Sequence, residues 1–345
     1  MLVGLALAGF FLVLEAGLRV CGYAPSQWAR VGYINSPFVP SDIPGVWQEM
    51  RAFHHWAHIF PSNVGGYFEA GNTVWYQTNN AGYRGRDFFR EKFPESGRIA
   101  FLGDSLGFGF GVKDEDVVTT LLESQLNQLS GRPIEVYNFA VEGYSTADEA
   151  ALLEHRVLRY QPDLIIVWYF LNDVETDGPA PLRPLFLPSL RPYSRLMAFV
   201  GARMDLVVTH YLTIWRYHEA YQDSDKRWIA TKHHLQRMAA LAQDRGIPIY
   251  LFIHPILFHL GRYPFADIHR KVLATAWEYG FQAYDLLEVF RRREAEALWV
   301  HPQDHHPNAE GHRLAAQYVA RILSQTPSLI STSLGDGTNS HDAKD

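Results

Sequence analysis

The chain holds a single cysteine, Cys21, among its 345 residues. That excludes an intrachain disulfide, and cysteine usage says nothing of the redox compartment. Basic residues are not in excess: 31 Lys and Arg stand against 37 Asp and Glu, a formal net charge of -6. No basic stripe is available to neutralise phosphates, so no nucleic-acid partner is expected. The glycine-rich turn Gly107-Phe108-Gly109-Phe110-Gly111 lacks both the Gly-Lys-Ser/Thr ending of a P-loop and the Gly-x-Gly-x-x-Gly spacing of a dinucleotide site, which excludes both readings. What is present is ordinary globular composition, 47% hydrophobic and 20% charged, enough for one large domain or two modest ones. Aromatics reach 14%, with nine Trp; they suit either a groove for sugars or lipids or plain packing.

One long apolar run opens the chain. Residues 2 to 14 are uninterrupted, and the pattern continues past Glu15 and Arg19 to about Tyr23. A bilayer needs about 20 such residues, no small-x-small cleavage site follows, and Val20 before Cys21 is a poor lipoprotein signal. Residues 1–23 are therefore expected to form an uncleaved membrane anchor with the lipid bilayer as partner, a signal-peptide segment or a buried helix being the alternatives. Arg19 and Arg30 follow the run, a charge bias that by itself would keep the remainder cytoplasmic. Residues 24–97 are rich in turn formers and are expected to form an irregular layer, with a hairpin around Ala70-Gly71-Asn72 and a strand over Thr73–Thr78. His54, His55 and His58 stand at i, i+1 and i+4 without a cysteine or carboxylate pair, so they read as solvated or hydrogen-bonded side chains rather than metal ligands.

From residue 98 strands and helices alternate. The apolar run Ile99-Ala100-Phe101-Leu102 stops at Gly103-Asp104-Ser105-Leu106, and Val118, Leu121, Leu122, Leu126 and Leu129 then repeat at helical spacing. A second strand spans Ile134–Ala140, and a helix follows the capping box Ser145-Thr146-Ala147-Asp148. A third strand spans Leu164–Phe170. Strands this uniformly apolar are covered on both faces, which means a parallel sheet between helical layers. Residues 174–227 break the alternation with Pro179, Pro181, Pro184 and Pro188 and an aromatic helical segment; a lid, a packing excursion and a partner surface are all open readings. Regular structure resumes with a helix carrying Leu235, Met238, Ala239 and Ala242, then the strand Ile249–Ile253, a helix near 268–279 and a short strand near 282–285. A polar loop at 301–308 precedes a last helix with Leu314, Ala315, Tyr318 and Ile322. Residues 326–345 read as a disordered tail.

Polar residues cluster at the strand ends: Ser105 after the first strand, Glu142-Gly143-Tyr144 after the second, Asn172-Asp173 after the third, and His301, Asp304, His305 and His306 in the last loop. All fall on one edge of the expected sheet. Acyl transfer needs a nucleophile, a base, a group that orients the base, and donors aimed at the developing oxyanion. Ser105 supplies the first and a histidine of 301–306 the second. A glycine N–H and an asparagine amide are suitable donors, and such chemistry needs neither a metal nor another cofactor.

In these four blocks the chain resembles the GDSL-type esterases, or SGNH hydrolases. Gly103-Asp104-Ser105-Leu106 is similar to the family's first block, Asn138-Phe139-Ala140-Val141-Glu142-Gly143 to its glycine block, Asn172-Asp173 to its asparagine block, and His306-Pro307-Asn308 with Gly311-His312 to its histidine block. They occur in family order across 98–325. The resemblance implies a three-layer α/β/α flavodoxin-like fold, Ser105 as nucleophile, His306 as base, and Ser105 N–H, Gly143 N–H and the Asn172 side chain as oxyanion donors. The N-terminal run together with Thr78-Asn79-Asn80-Ala81-Gly82-Tyr83-Arg84-Gly85 resembles bacterial membrane-linked members whose catalytic domain faces outward, which implies an extracytoplasmic, periplasmic site.

Two departures bear on that reading. The family's Asp three residues before the histidine is here Gln303, leaving Asp304 two residues before His306 to orient the base, with a Ser-His dyad as the alternative. The glycine two residues before Asn172 is here Phe170. The expected function is a membrane-anchored serine esterase or deacylase acting on O-acyl groups of an envelope glycan, a lipid or a small ester. A polysaccharide O-acyltransferase and a non-catalytic subunit bound to a membrane-complex partner are the alternatives.

Overall fold

The apolar run that ends at Gly103 is a strand whose seven residues are all buried, and the sheet is built outward from it. A computed structural model describes residues 2–22, 32–174 and 193–326. In chain order come α1 (Leu2–Val20), β1 (Gly32–Ile34), β2 (Phe38–Pro40), β3 (Gln48–Met50), β4 (His55–Ile59) and β5 (Thr73–Gln77). Next are β6 (Gly97–Gly103), α2 (Ser105–Phe108), α3 (Val118–Leu129), β7 (Ile134–Asn138), α4 (Thr146–His155) and β8 (Leu164–Tyr169). Then follow α5 (Arg195–Ala220), α6 (Lys226–Gln243), β9 (Ile249–Ile253), α7 (Ala266–Glu278) and β10 (Gln282–Asp285). The chain continues through α8 (Leu287–Phe290), β11 (Trp299–His301), β12 (Asp304–Pro307) and α9 (Ala309–Leu323).

The central sheet runs β10-β9-β8-β6-β7, every pair parallel. Parallel neighbours need crossover helices; α3 packs on α9, and α4 on α6, as right-handed crossovers require. The chain leaves β6 for β7 on one side and reaches β8 on the other. The strand order therefore reverses at the carboxyl end of β6, the point in such sheets where loops splay and ligands bind. Ser105 is the second residue beyond that end. The capping box expected at Ser145 and Asp148 is present at the start of α4.

The N-terminal layer is more regular than its composition suggests. β1, β4 and β5 form an antiparallel sheet with Tyr33, His58 and Val74 in register, and β2 pairs with β3. Period-two alternation turns Trp56, His58, Val74 and Tyr76 into the core, while Trp75 stays outside. The layer is tied to the main domain by the buried Arg84. Its guanidinium donates to the carbonyls of Phe108, Gly109 and Val112 at 3.2, 2.5 and 2.6 Å and to Asp114 at 2.7 Å. Two of those carbonyls belong to the glycine-rich turn and the third to the residue that follows it, so the turn serves packing.

Two expectations change, and two segments fall at least in part outside the described residues. The segment 301–308 is the hairpin β11–β12 rather than a loop; its polar residues conceal a strand alternation. The expected membrane-spanning helix is not established: among the described residues no helix is long and apolar enough to cross a membrane. Glu15 and Arg19 cut the apolar run short, and Glu15 accepts hydrogen bonds from the Ser194 hydroxyl and the Leu196 amide at the start of α5. Of the 174–227 insertion, residues 175–192 lie outside the described residues and the rest is chiefly α5; the expected tail, from 327 on, also lies outside them.

Gly111 has φ +85, and a Cβ there would stand 2.4 Å from Val300 Cγ2. Both the left-handed backbone and the stiff β-branched neighbour oppose a side chain. Gly111→Ala is expected to destabilise the fold by about 1–3 kcal/mol, measured as the denaturant midpoint at unchanged slope.

Candidate active site

Asp104 caps α2 by accepting the Leu106 amide at 2.9 Å, and Ser105 begins the helix with its hydroxyl at the sheet edge. The hairpin brings its partner from the far end of the sequence. In β12, residues two apart point the same way, so Asp304 and His306 share a face and His305 takes the other. His306 Nε2 lies 2.8 Å from Ser105 Oγ, a separation of 201 residues in sequence. Its Nδ1 lies 2.5 Å from Asp304 Oδ1. Asp304 thus reaches the imidazole from two residues away because the segment is a strand. His305 instead stacks on Trp299, ring centroids 3.8 Å apart. His301 is occupied elsewhere, with Nε2 3.0 Å from Ser62 Oγ and Nδ1 accepting the Gln303 amide. Among the described residues no group of three or more His, Cys, Asp or Glu is arranged to hold a metal.

Two further loops complete the edge. Asn172 directs its side-chain amide to Asp104 Oδ2 at 3.2 Å; the nitrogen carries two N–H bonds, so one is left for a bound ligand. Gly143 sits at φ +80 in the turn that follows β7. Phe170, the departure from the family pattern, turns its ring toward His254, centroids 6.4 Å apart, while its amide donates to Asp173.

The N-terminal layer forms one wall. Phe110 lies 4.8 Å from the His306 ring and 4.7 Å from that of His58, centroid to centroid. Tyr33 donates its hydroxyl to the Glu142 carboxylate. Burial raises the Glu142 pKa to about 7, and burial pulls His58 down to about 4, so His58 is neutral at physiological pH. Sequence reasoning assigned no role to Tyr33, Gln48, Glu142 or Glu149. Glu142 lay inside a quoted block, but the layer's residues carry no motif.

Burial opposes a charge on His306, and the Asp304 carboxylate against Nδ1 more than offsets it, leaving the His306 pKa raised. Burial likewise opposes ionisation of Asp304, and the imidazole beside it prevails, holding the carboxyl at about 2. Beneath Ser105 the carboxyls of Asp104, Glu149 and Asp173 are all buried. Neither Glu149 oxygen has a hydrogen-bond partner among the described residues. Burial, with the charges of Asp104 and Asp148 added, raises its pKa well above the ordinary carboxyl range.

Residues 101–314 match the model of the GDSL-like lipase/acylhydrolase family. The chain belongs to that family. It is an ester hydrolase of the GDSL type. Similar solved structures include TesA, at 16% identity with a TM-score of 0.45 over 67% of this chain and 99% of that one. A catalytic mutant of Axe2, an acetylxylan esterase from Geobacillus stearothermophilus, shares 17% identity with a TM-score of 0.44 over 68% and 95% of the two chains. The esterase EstA from Pseudoalteromonas shares 13%, with a TM-score of 0.41 over 65% and 96%. No curated protein sequence matches the chain.

Two outcomes follow for this GDSL hydrolase. A base must be neutral to accept a proton, so turnover is expected to rise with pH along a limb lying above the ordinary imidazole value of about 6.5. Asp304→Asn removes the charge that holds the limb there, and the pH–rate profile should move toward acid. The second outcome concerns stability. A carboxyl whose pKa is raised on folding contributes stability below its unfolded pKa, and that contribution is lost as pH rises toward the folded value. Glu149→Gln cannot ionise, so its melting temperature relative to the parent chain should increase steadily from about pH 5 to pH 8.

Proposed function

We propose that the protein is a serine esterase that removes O-acyl groups from an envelope glycan, a lipid or a small ester, held at the membrane by α1 with its site on the extracytoplasmic side. The observation that carries the mechanism is the continuous chain of contacts from Ser105 Oγ through His306 to Asp304. Ser105 attacks the acyl carbon as His306 Nε2 takes its proton. The tetrahedral oxyanion is held by the N–H groups of Ser105 and Gly143 and the second amide hydrogen of Asn172, donors fixed before the charge develops. His306 passes the proton to the departing alkoxide oxygen, releasing the alcohol. A water molecule then repeats the sequence on the acyl-enzyme, the carboxylic acid leaves and Ser105 regains its proton. Asp304 keeps Nδ1 protonated and opposes the positive charge on the imidazolium.

Membrane attachment is supported by the apolar run 2–14 and by exposure of Phe10, Leu12 and Val13, successive faces of α1 that the domain does not cover. The same acyl-enzyme serves an O-acyltransferase if a sugar hydroxyl replaces water, and the products formed with a polysaccharide acceptor distinguish the two. The test of the central claim is labelling of the full chain with a fluorophosphonate followed by peptide mass spectrometry. The adduct is expected on Ser105 and absent from His306→Ala. Ser105→Ala and His306→Ala should lose comparable activity, with Asp304→Ala about two orders of magnitude less severe, since parts of one catalytic unit are not additive. Unchanged ester turnover in Ser105→Ala would overturn the mechanism.

A further inference from the structure

The oxyanion turn has a conformational choice, and a residue outside the family-matched region makes it. Tyr144 N donates to Val141 O at 3.2 Å, closing a four-residue turn with Glu142 and Gly143 at its centre. Gly143 has φ +80, whereas Glu142 is not among the residues with positive φ; this is the signature of a type II turn. Types I and II close with the same hydrogen bond and differ by a flip of the central peptide. That peptide is planar and trans, so its C=O and N–H point in opposite directions. Whatever holds the Glu142 carbonyl therefore decides where the Gly143 N–H points. In the flipped turn a carbonyl oxygen would take the place of the donor and repel the developing negative charge.

The carbonyl is held by Gln48, whose Nε2 donates to Glu142 O at 2.8 Å. Gln48 lies in β3 of the N-terminal layer, 94 residues earlier, and is itself buried. Its own main-chain carbonyl accepts the Tyr144 hydroxyl at 2.8 Å, so Gln48 and the turn grip each other at two points. Tyr33, from the same layer, holds the Glu142 side chain but not the peptide. We propose that Gln48 is a positioning residue that fixes the turn in the sense presenting the Gly143 N–H to the oxyanion. This rests on the serine-esterase reading with Gly143 as a donor. Gln48 touches no reacting atom and acts through the peptide alone.

The test uses the full chain, p-nitrophenyl acetate as probe, and fluorophosphonate titration of Ser105 to count active sites. Gln48→Met keeps the length of the side chain and removes the donor. Its kcat per titrated serine should fall roughly 10- to 100-fold, less than deletion of an oxyanion donor costs. KM should stay within about threefold, because the interaction matters only once the charge has developed. Gln48→Glu sets a carboxylate against the carbonyl and should be slower still. The acid limb of the pH profile should not move in Gln48→Met, which adds no charge and leaves His306 and Asp304 untouched. Should Gln48→Met fail to fold, Tyr144→Phe carries the test: it releases the Gln48 main chain, and a fall in kcat without a change in KM supports the proposal. A folded variant with kcat per serine equal to that of the parent chain overturns the role of Gln48 and leaves the esterase reading standing. A parent chain that takes no label and turns over no ester overturns that reading, and the proposal with it.

Discussion

The contact between His306 Nε2 and Ser105 Oγ joins two ends of the hydrolase domain, and the rest of the architecture is arranged to make it possible. Ser105 must stand where the sheet order reverses, because only there does a strand end open onto solvent between diverging loops. His306 must arrive on a rigid arm, and the hairpin β11–β12 is that arm, continued directly into α9. Phe110 packs against the imidazole, so the ring is held by apolar contact as well as by its two hydrogen bonds. A strand is a better carrier than a loop for this purpose, since its period fixes two side chains on one face at once.

Electrostatics around the serine falls into two zones. At the edge, Asp304 stays ionised beside a histidine whose proton affinity it raises. Behind the strand end, Asp104, Glu149 and Asp173 crowd together where charge is costly. A low dielectric penalises unpaired charge, so ionisation is opposed in the second zone, whereas the imidazole beside Asp304 favours it in the first. Asp304 is the carboxylate in direct contact with the imidazole and acts on it most strongly.

How much of this was legible in the sequence depended on local pattern. The strands β6, β7, β8 and β9 are short apolar runs that stop at turn formers, and the capping box at Ser145 marks α4 directly. Ser105, Gly143, Asn172 and His306 were named from the resemblance, and the structure gathers them with Asp304 at one edge. The hairpin escaped because Asp304, His305 and His306 are all polar, and hydrophobic periodicity is blind to an alternation among polar side chains. The contact of Asp304 with His306 follows once that segment is a strand. In the N-terminal layer the strand expected over Thr73–Thr78 is β5, while the rest escaped for another reason. Several of its strands are only three residues long, and the contacts that matter, those of Gln48, Tyr33 and Arg84, span dozens of residues and leave no spacing to detect.

Arg84 carries a consequence for how the molecule assembles. During synthesis the layer emerges from the ribosome before the serine turn exists, yet its guanidinium is buried against three carbonyls in and just after that turn. Burying that cation before those acceptors exist is strongly unfavourable, so the wall around Arg84 cannot close ahead of the turn. Arg84 stays solvated until β6 and α2 have been translated. Docking of the layer on the main domain therefore follows formation of the serine turn, and during that delay the layer is open to chaperones and proteases.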